Sequence, residues 1–123
     1  MDFKILFIAP HDAVDILNDN IDVNLILSTG EVYFAVLFTI MNIQTLLKES
    51  KEGFIYSTDM IIVNDLSMQT IRSVFNNILQ SKIIENCMIK IGYIKDVLPN
   101  VVSYEEINDF GSPKYGIRQL PKP

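Results

Sequence analysis

The sequence predicts an α+β domain, an antiparallel sheet of about four to five strands with two main helices packed on it. Three observations carry this expectation. Apolar runs rich in β-formers, Phe3 to Ala9, Asp22 to Leu27 and Val32 to Thr39, have strand length and are bounded by turn chemistry. Two later segments, starting near Ile40 and Ile71, repeat their apolar residues at helical spacing. A chain of 123 residues with 49% hydrophobic content supports one core without staples and excludes two catalytic domains.

Phe3 to Ala9 reads as a buried strand that Pro10 ends, because proline brings no donor to a ladder. The stretch from His11 to Asn20 places Asp12, Asp15 and Asp19 opposite Ala13, Val14, Ile16 and Leu17, which suits either a short helix or an irregular crossing segment. Asp22 to Leu27 and Val32 to Thr39 flank Ser28-Thr29-Gly30-Glu31, so they form an antiparallel hairpin whose glycine can take positive φ. The second of these strands is apolar on nearly both faces and is expected to lie centrally, covered on each side.

Thr39 or Asn42 caps a helix carrying Ile40, Ile43, Leu46 and Leu47, which stops before Gly53. Phe54 to Tyr56 suits a short extended piece, and Met60 to Val63 a compact strand. Asp65 or Ser67 caps the strongest helix, with Ile71, Val74, Phe75, Ile78 and Leu79 on one stripe. Asn86 marks a break before a last strand, Met88 to Lys95, in which Gly92 is a weak point or bulge. Regularity fades after Asp96, although Tyr104, Ile107 and Phe110 can dock as one turn of helix. One domain over residues 1–110 and an irregular basic tail over 111–123 are therefore expected.

Charge narrows the partners. Residues 1–110 hold seven basic against fifteen acidic side chains, and the tail holds Lys114, Arg118 and Lys122 without an acid, for a net charge of -5. An acidic protein gains nothing from nucleic-acid phosphates, so no direct nucleic-acid partner is expected. A basic protein is attracted by the same field. No apolar run approaches the ~18 residues of a membrane helix, and the N-terminus does not read as a secretory signal. With Cys87 as the single cysteine there is no intramolecular disulfide, so a cytoplasmic location is expected.

Chemistry-bearing motifs are scarce. His11 is the single histidine, and no second positioned group can be named for acid-base work. Asp12, Asp15, Asp19 and Asp22 would share a face only on a continuous helix. They miss the calcium-loop pattern, so a metal-dependent enzyme is the weakest reading, and neither metal nor cofactor is expected. The five glycines form no phosphate loop. Tyr56, Tyr93, Tyr104, Phe110 and Tyr115 lie near irregular acidic segments, a composition suited to gripping a basic protein surface; the plainer reading is that Tyr104 and Phe110 pin the tail.

Gly30-Glu31-Val32-Tyr33-Phe34-Ala35-Val36-Leu37-Phe38-Thr39, Asn42-Ile43, Ser57-Thr58-Asp59-Met60-Ile61-Ile62-Val63, Leu66-Ser67 and Thr70-Ile71 together resemble short bacterial immunity proteins of polymorphic toxin and contact-dependent growth inhibition systems. The likeness covers about residues 20–80 and lies in core strands and helix starts. It implies a small cytosolic, non-catalytic inhibitor that binds one cognate toxin domain, often a nuclease, and it carries over no site residues. Beside it, the acidic residues Asp12, Asp15, Asp19, Glu105, Glu106 and Asp109, with Tyr104 as an anchor, form the candidate contact set. A small-ligand-binding or regulatory domain with an apolar pocket is the alternative expectation.

Overall fold

The computed structural model describes residues 1–8 and 15–111. His11 and Asp12, the end of the first expected strand, Tyr115 and the basic tail lie outside the described residues. Within them the chain has the expected α+β arrangement, with five strands in one sheet and two long helices.

Strands β1 (Phe3–Phe7), β2 (Asn20–Leu27) and β3 (Glu31–Thr39) run antiparallel in sequence order. The β2–β3 connection is the turn expected from its residues. Gly30 takes φ +100° and donates to the Leu27 carbonyl at 2.8 Å, a backbone state that favours residues without Cβ. Helix α1 (Ile40–Glu49) begins directly after β3, capped by Thr39, whose buried hydroxyl accepts the Asn42 N–H at 3.2 Å. Of the two caps the sequence allowed, Thr39 is the one used.

Strand β4 (Met60–Val63) corrects the expectation of a wholly antiparallel sheet: it pairs parallel to β3, from Val36 opposite Met60 to Thr39 opposite Val63. The cause is topological. An intervening helix returns the chain to the starting end of β3, so the next strand runs in the same direction. Helix α2 (Met68–Gln80) follows, capped by Ser67, whose hydroxyl accepts the Thr70 N–H at 3.2 Å. Asn86 falls inside a short helix, α3 (Ile84–Cys87), instead of marking a break, and β5 (Ile89–Tyr93) gives way to α4 (Ile94–Val97) before Lys95. Four-residue helices span barely one turn and leave no period to read. Tyr104–Glu106 form a single 3₁₀ turn. Phe54 and Tyr56 join no strand; their rings stack at 6.3 Å.

β5 pairs antiparallel with Glu31–Phe34 on the same edge of β3 that β4 occupies from Val36 onward, so β4 and β5 lie end to end. The β3–β5 register slips between Val32 and Tyr33, opposite Gly92 at φ +144°, the irregularity expected at that glycine.

Both faces of the sheet are covered. Residues opposite one another share a face. Ile5, Leu25, Tyr33 and Leu37 lie on one face and pack with Ile71, Phe75 and Ile78 of α2. Leu6, Ile26 and Val32 lie on the other, under Ile94, Leu98, Val101 and Ile107. This explains why β3 is apolar on both sides. The two long helices behave differently: α2 buries three residues of its stripe, whereas α1 buries only Asn42 and leaves Ile40, Met41 and Leu47 exposed.

Candidate functional site

The described candidate contact residues fall into two separate groups. Asp15 and Asp19 precede β2. The Asn18 N–H donates to the Asp15 carbonyl at 2.9 Å and the Leu17 N–H to the Asp15 carboxylate at 3.0 Å, so the described part of the His11–Asn20 stretch, from Asp15 to the start of β2, is a turn. Short side-chain bonds of this kind compete with the helical ladder. Asp19 is tied to β3, its carbonyl accepting the Thr39 N–H at 3.2 Å and its carboxylate the Asn20 N–H at 2.7 Å.

Tyr104, Glu105 and Glu106 lie beyond the second core, and Asp109 follows at the edge of β1. Lys4, opposite Ile26 in the sheet, donates from Nζ to the Tyr104 carbonyl at 3.0 Å and sits 4.4 Å from the centre of its ring. Asn20 and Ile26 are six residues apart on β2, about 20 Å at roughly 3.3 Å per residue, so the two groups do not converge. Among the described residues Asp15, Asp19 and Asp22 share no helical face, and no cluster of three or more metal-ligating side chains is present; Asp12 lies outside the described residues.

The second group divides further. Asp109 is committed internally, with Oδ1 accepting the Ile5 N–H at 3.0 Å and Oδ2 paired with Arg72. Glu106 accepts the Val102 N–H at 3.1 Å. Tyr104 and Glu105 line an open cleft of about 530 Å³ between the β2–β3 turn (Ser28, Thr29, Gly30) and the segment that covers the second core, with Tyr93 and Lys95 on its wall. Burial, and then the charges of Asp2 and Glu105, raise the Tyr104 phenol above its ordinary value, with Arg72 opposing, so it stays protonated as a donor. Charges of both signs meet around this cleft. Lys90 donates to the Tyr93 hydroxyl at 2.9 Å and its ammonium lies 3.8 Å from Glu31.

Sequence reasoning missed Arg72, whose guanidinium lies 5.2 Å from the ring centres of both Phe3 and Phe110 while pairing with Asp109. Its partners are far away along the chain, and no local signal marks it. Of the tyrosines expected at the surface, Tyr56 and Tyr93 are exposed and Tyr104 is half-buried. Cys87 is half-buried against the first core. No described helix is long and apolar enough to cross a membrane. In comparisons with known proteins, no family model, no curated protein and no solved structure matches the chain.

Proposed function

We propose that this chain is an immunity-type binding protein, acting in the cytoplasm, that neutralises a basic bacterial toxin domain without catalysis of its own. One observation supports this reading above the others. The described residues carry fourteen acidic and seven basic side chains, and three of the seven, Lys4, Arg72 and Lys90, are engaged by rings, carbonyls or carboxylates of the chain itself. Two of these cations pair one-to-one with carboxylates, so the described residues keep their excess of acids over bases and present an acidic exterior to a partner. Such a field accelerates encounter with a basic protein, and neutralisation in a toxin-producing cell needs nanomolar affinity, about 12 kcal/mol.

The test is a titration of the chain with the C-terminal domain of the polypeptide encoded immediately upstream of it, at low and high salt, alongside growth rescue in cells expressing that domain. Nanomolar binding with an association rate that falls with salt is the expected result. Absence of binding, or of a toxin-bearing reading frame at that locus, overturns the proposal.

A second reading rests on the Tyr93–Tyr104 cleft, whose volume lies within the roughly 300–1,000 Å³ of small-molecule sites. A metabolite that raises the melting temperature of the chain, and loses that effect in Tyr104→Ala, supports it.

A further inference from the structure

Strands β3 and β4 end together, and α1 and α2 both start from that end of the sheet. The Asp15–Asn18 turn lies across it. Leu66, just before α2, donates its N–H to the Ile16 carbonyl at 2.8 Å, and the Asn42 amide of α1 donates to the Asn18 side chain at 3.5 Å. Backbone and polar side chains thus hold the turn from both sides, while its apolar side chains stay in solvent. Ile16 and Leu17 of the turn, Ile40 and Met41 of α1 and Met68 of α2 are each between 42% and 57% exposed.

Five large apolar groups at one end of a small acidic domain are more than the scattered exposed leucine of an ordinary surface. Their charged neighbours have one dominant sign. Asp15 and Asp19 stand on the turn, and Asp65 stands before α2, where bonds from Ser67 and Thr70 hold its carboxyl below the usual range and keep it ionised. Met41 also lines a groove of about 600 Å³ with Asn18, Gln44, Thr45 and Lys48, the one cation of that lining.

We infer that this end of the sheet is the docking surface, and that its occupant is a basic protein surface presenting an apolar side chain ringed by lysine or arginine. Apolar centres with charged rims are the usual anatomy of specific interfaces. Leu17 and Met41 anchor; Asp15 and Asp19 pair with the partner's cations and set its orientation. A turn already ordered by hydrogen bonds loses little further entropy on binding. By contrast, the Tyr104 cleft mixes lysines with its acids and is the poorer match for a basic partner. This inference rests on the proposed function and names its surface.

The test measures affinity of the purified chain for the toxin domain encoded upstream, for wild type, Leu17→Ala, Met41→Ala, Asp15→Lys and, at the opposite end, Glu105→Lys. Circular dichroism and melting temperature confirm that each variant is folded; all four positions are exposed and outside both cores. The expected result is a loss of about tenfold or more for the first three variants, as for interface anchors and opposed charges, and less than about twofold for Glu105→Lys. Wild-type binding that these three variants leave unchanged overturns the surface and spares the proposed function. Wild type that fails to bind overturns both. Sedimentation equilibrium adds a further outcome: a homodimer that Leu17→Ala dissociates overturns the basic partner in favour of a second copy.

Discussion

The carboxylate of Asp109 accepts the backbone N–H of Ile5 at 3.0 Å, so a side chain near the end of the described chain supplies what a neighbouring strand would supply at the edge of β1. The main chain continues the pattern, with Phe110 N–H donating to the Ile5 carbonyl and Phe7 N–H to that of Gly111 at 3.2 Å. Phe110, at φ +56°, turns its ring to 5.7 Å from Phe7. One edge of the sheet is therefore closed, which removes a template for unwanted strand pairing.

That edge gives a coupled pair. Asp109→Ala should cost about 1–3 kcal/mol, because the Ile5 N–H loses its side-chain acceptor. Arg72→Ala should cost about 1 kcal/mol, since the pair with Asp109 is over a third exposed and screened by water. Urea unfolding of the double variant should give a loss smaller than the sum of the singles, as for residues in one network. Additive losses would show that Arg72 works through its two phenylalanine contacts alone.

Two glycines separate strain from crowding. Gly53 at φ +83° has nothing within 4 Å of a built Cβ, while at Gly92, φ +144°, that atom would lie 3.0 Å from a Val97 methyl. Gly53→Ala should therefore cost about 1 kcal/mol of stability through left-handed backbone strain, and Gly92→Ala about 2 kcal/mol or more because α4 must also shift. Thermal unfolding that ranks them the other way round would mean that α4 yields freely.

Asp65 should make stability depend on acid. Its folded carboxyl is held below the ordinary 3.8, chiefly by the Ser67 side chain and then the Ser67 N–H. A depressed value means that the unfolded chain takes up the proton first, so the stabilisation is complete above the ordinary range and fades as pH falls through the folded value. Wild type should exceed Asp65→Ala in melting temperature at pH 7, with a gap that narrows steadily below pH ~4. A gap that stays constant down to pH ~2 would remove the charge from the account and leave only helix-capping geometry.

The hairpin, the two long helices and the β4 strand were legible in the residues alone, whereas the four-residue helices α3 and α4 were not. Residues 22–39 could hardly avoid a hairpin around Gly30, and the helix starts were legible to within a choice of Thr39 or Asn42 and of Asp65 or Ser67, because a cap and its amide lie within three residues of one another. The apolar stripe of α2 and the two-sided apolarity of β3 foretold a sheet buried on both faces. Tertiary structure alone decided the direction of β4, since a four-residue strand alternates identically whichever way it runs. It decided that β4 and β5 divide one edge of β3, that Asp109 belongs to the edge of β1 and to Arg72 thirty-seven positions away, and that the described candidate acids stand in two separate groups. The physical reason is one of range. Propensity, capping and periodicity act over a few residues, whereas pairing and charge proximity are set when distant segments compete to cover the same apolar surface.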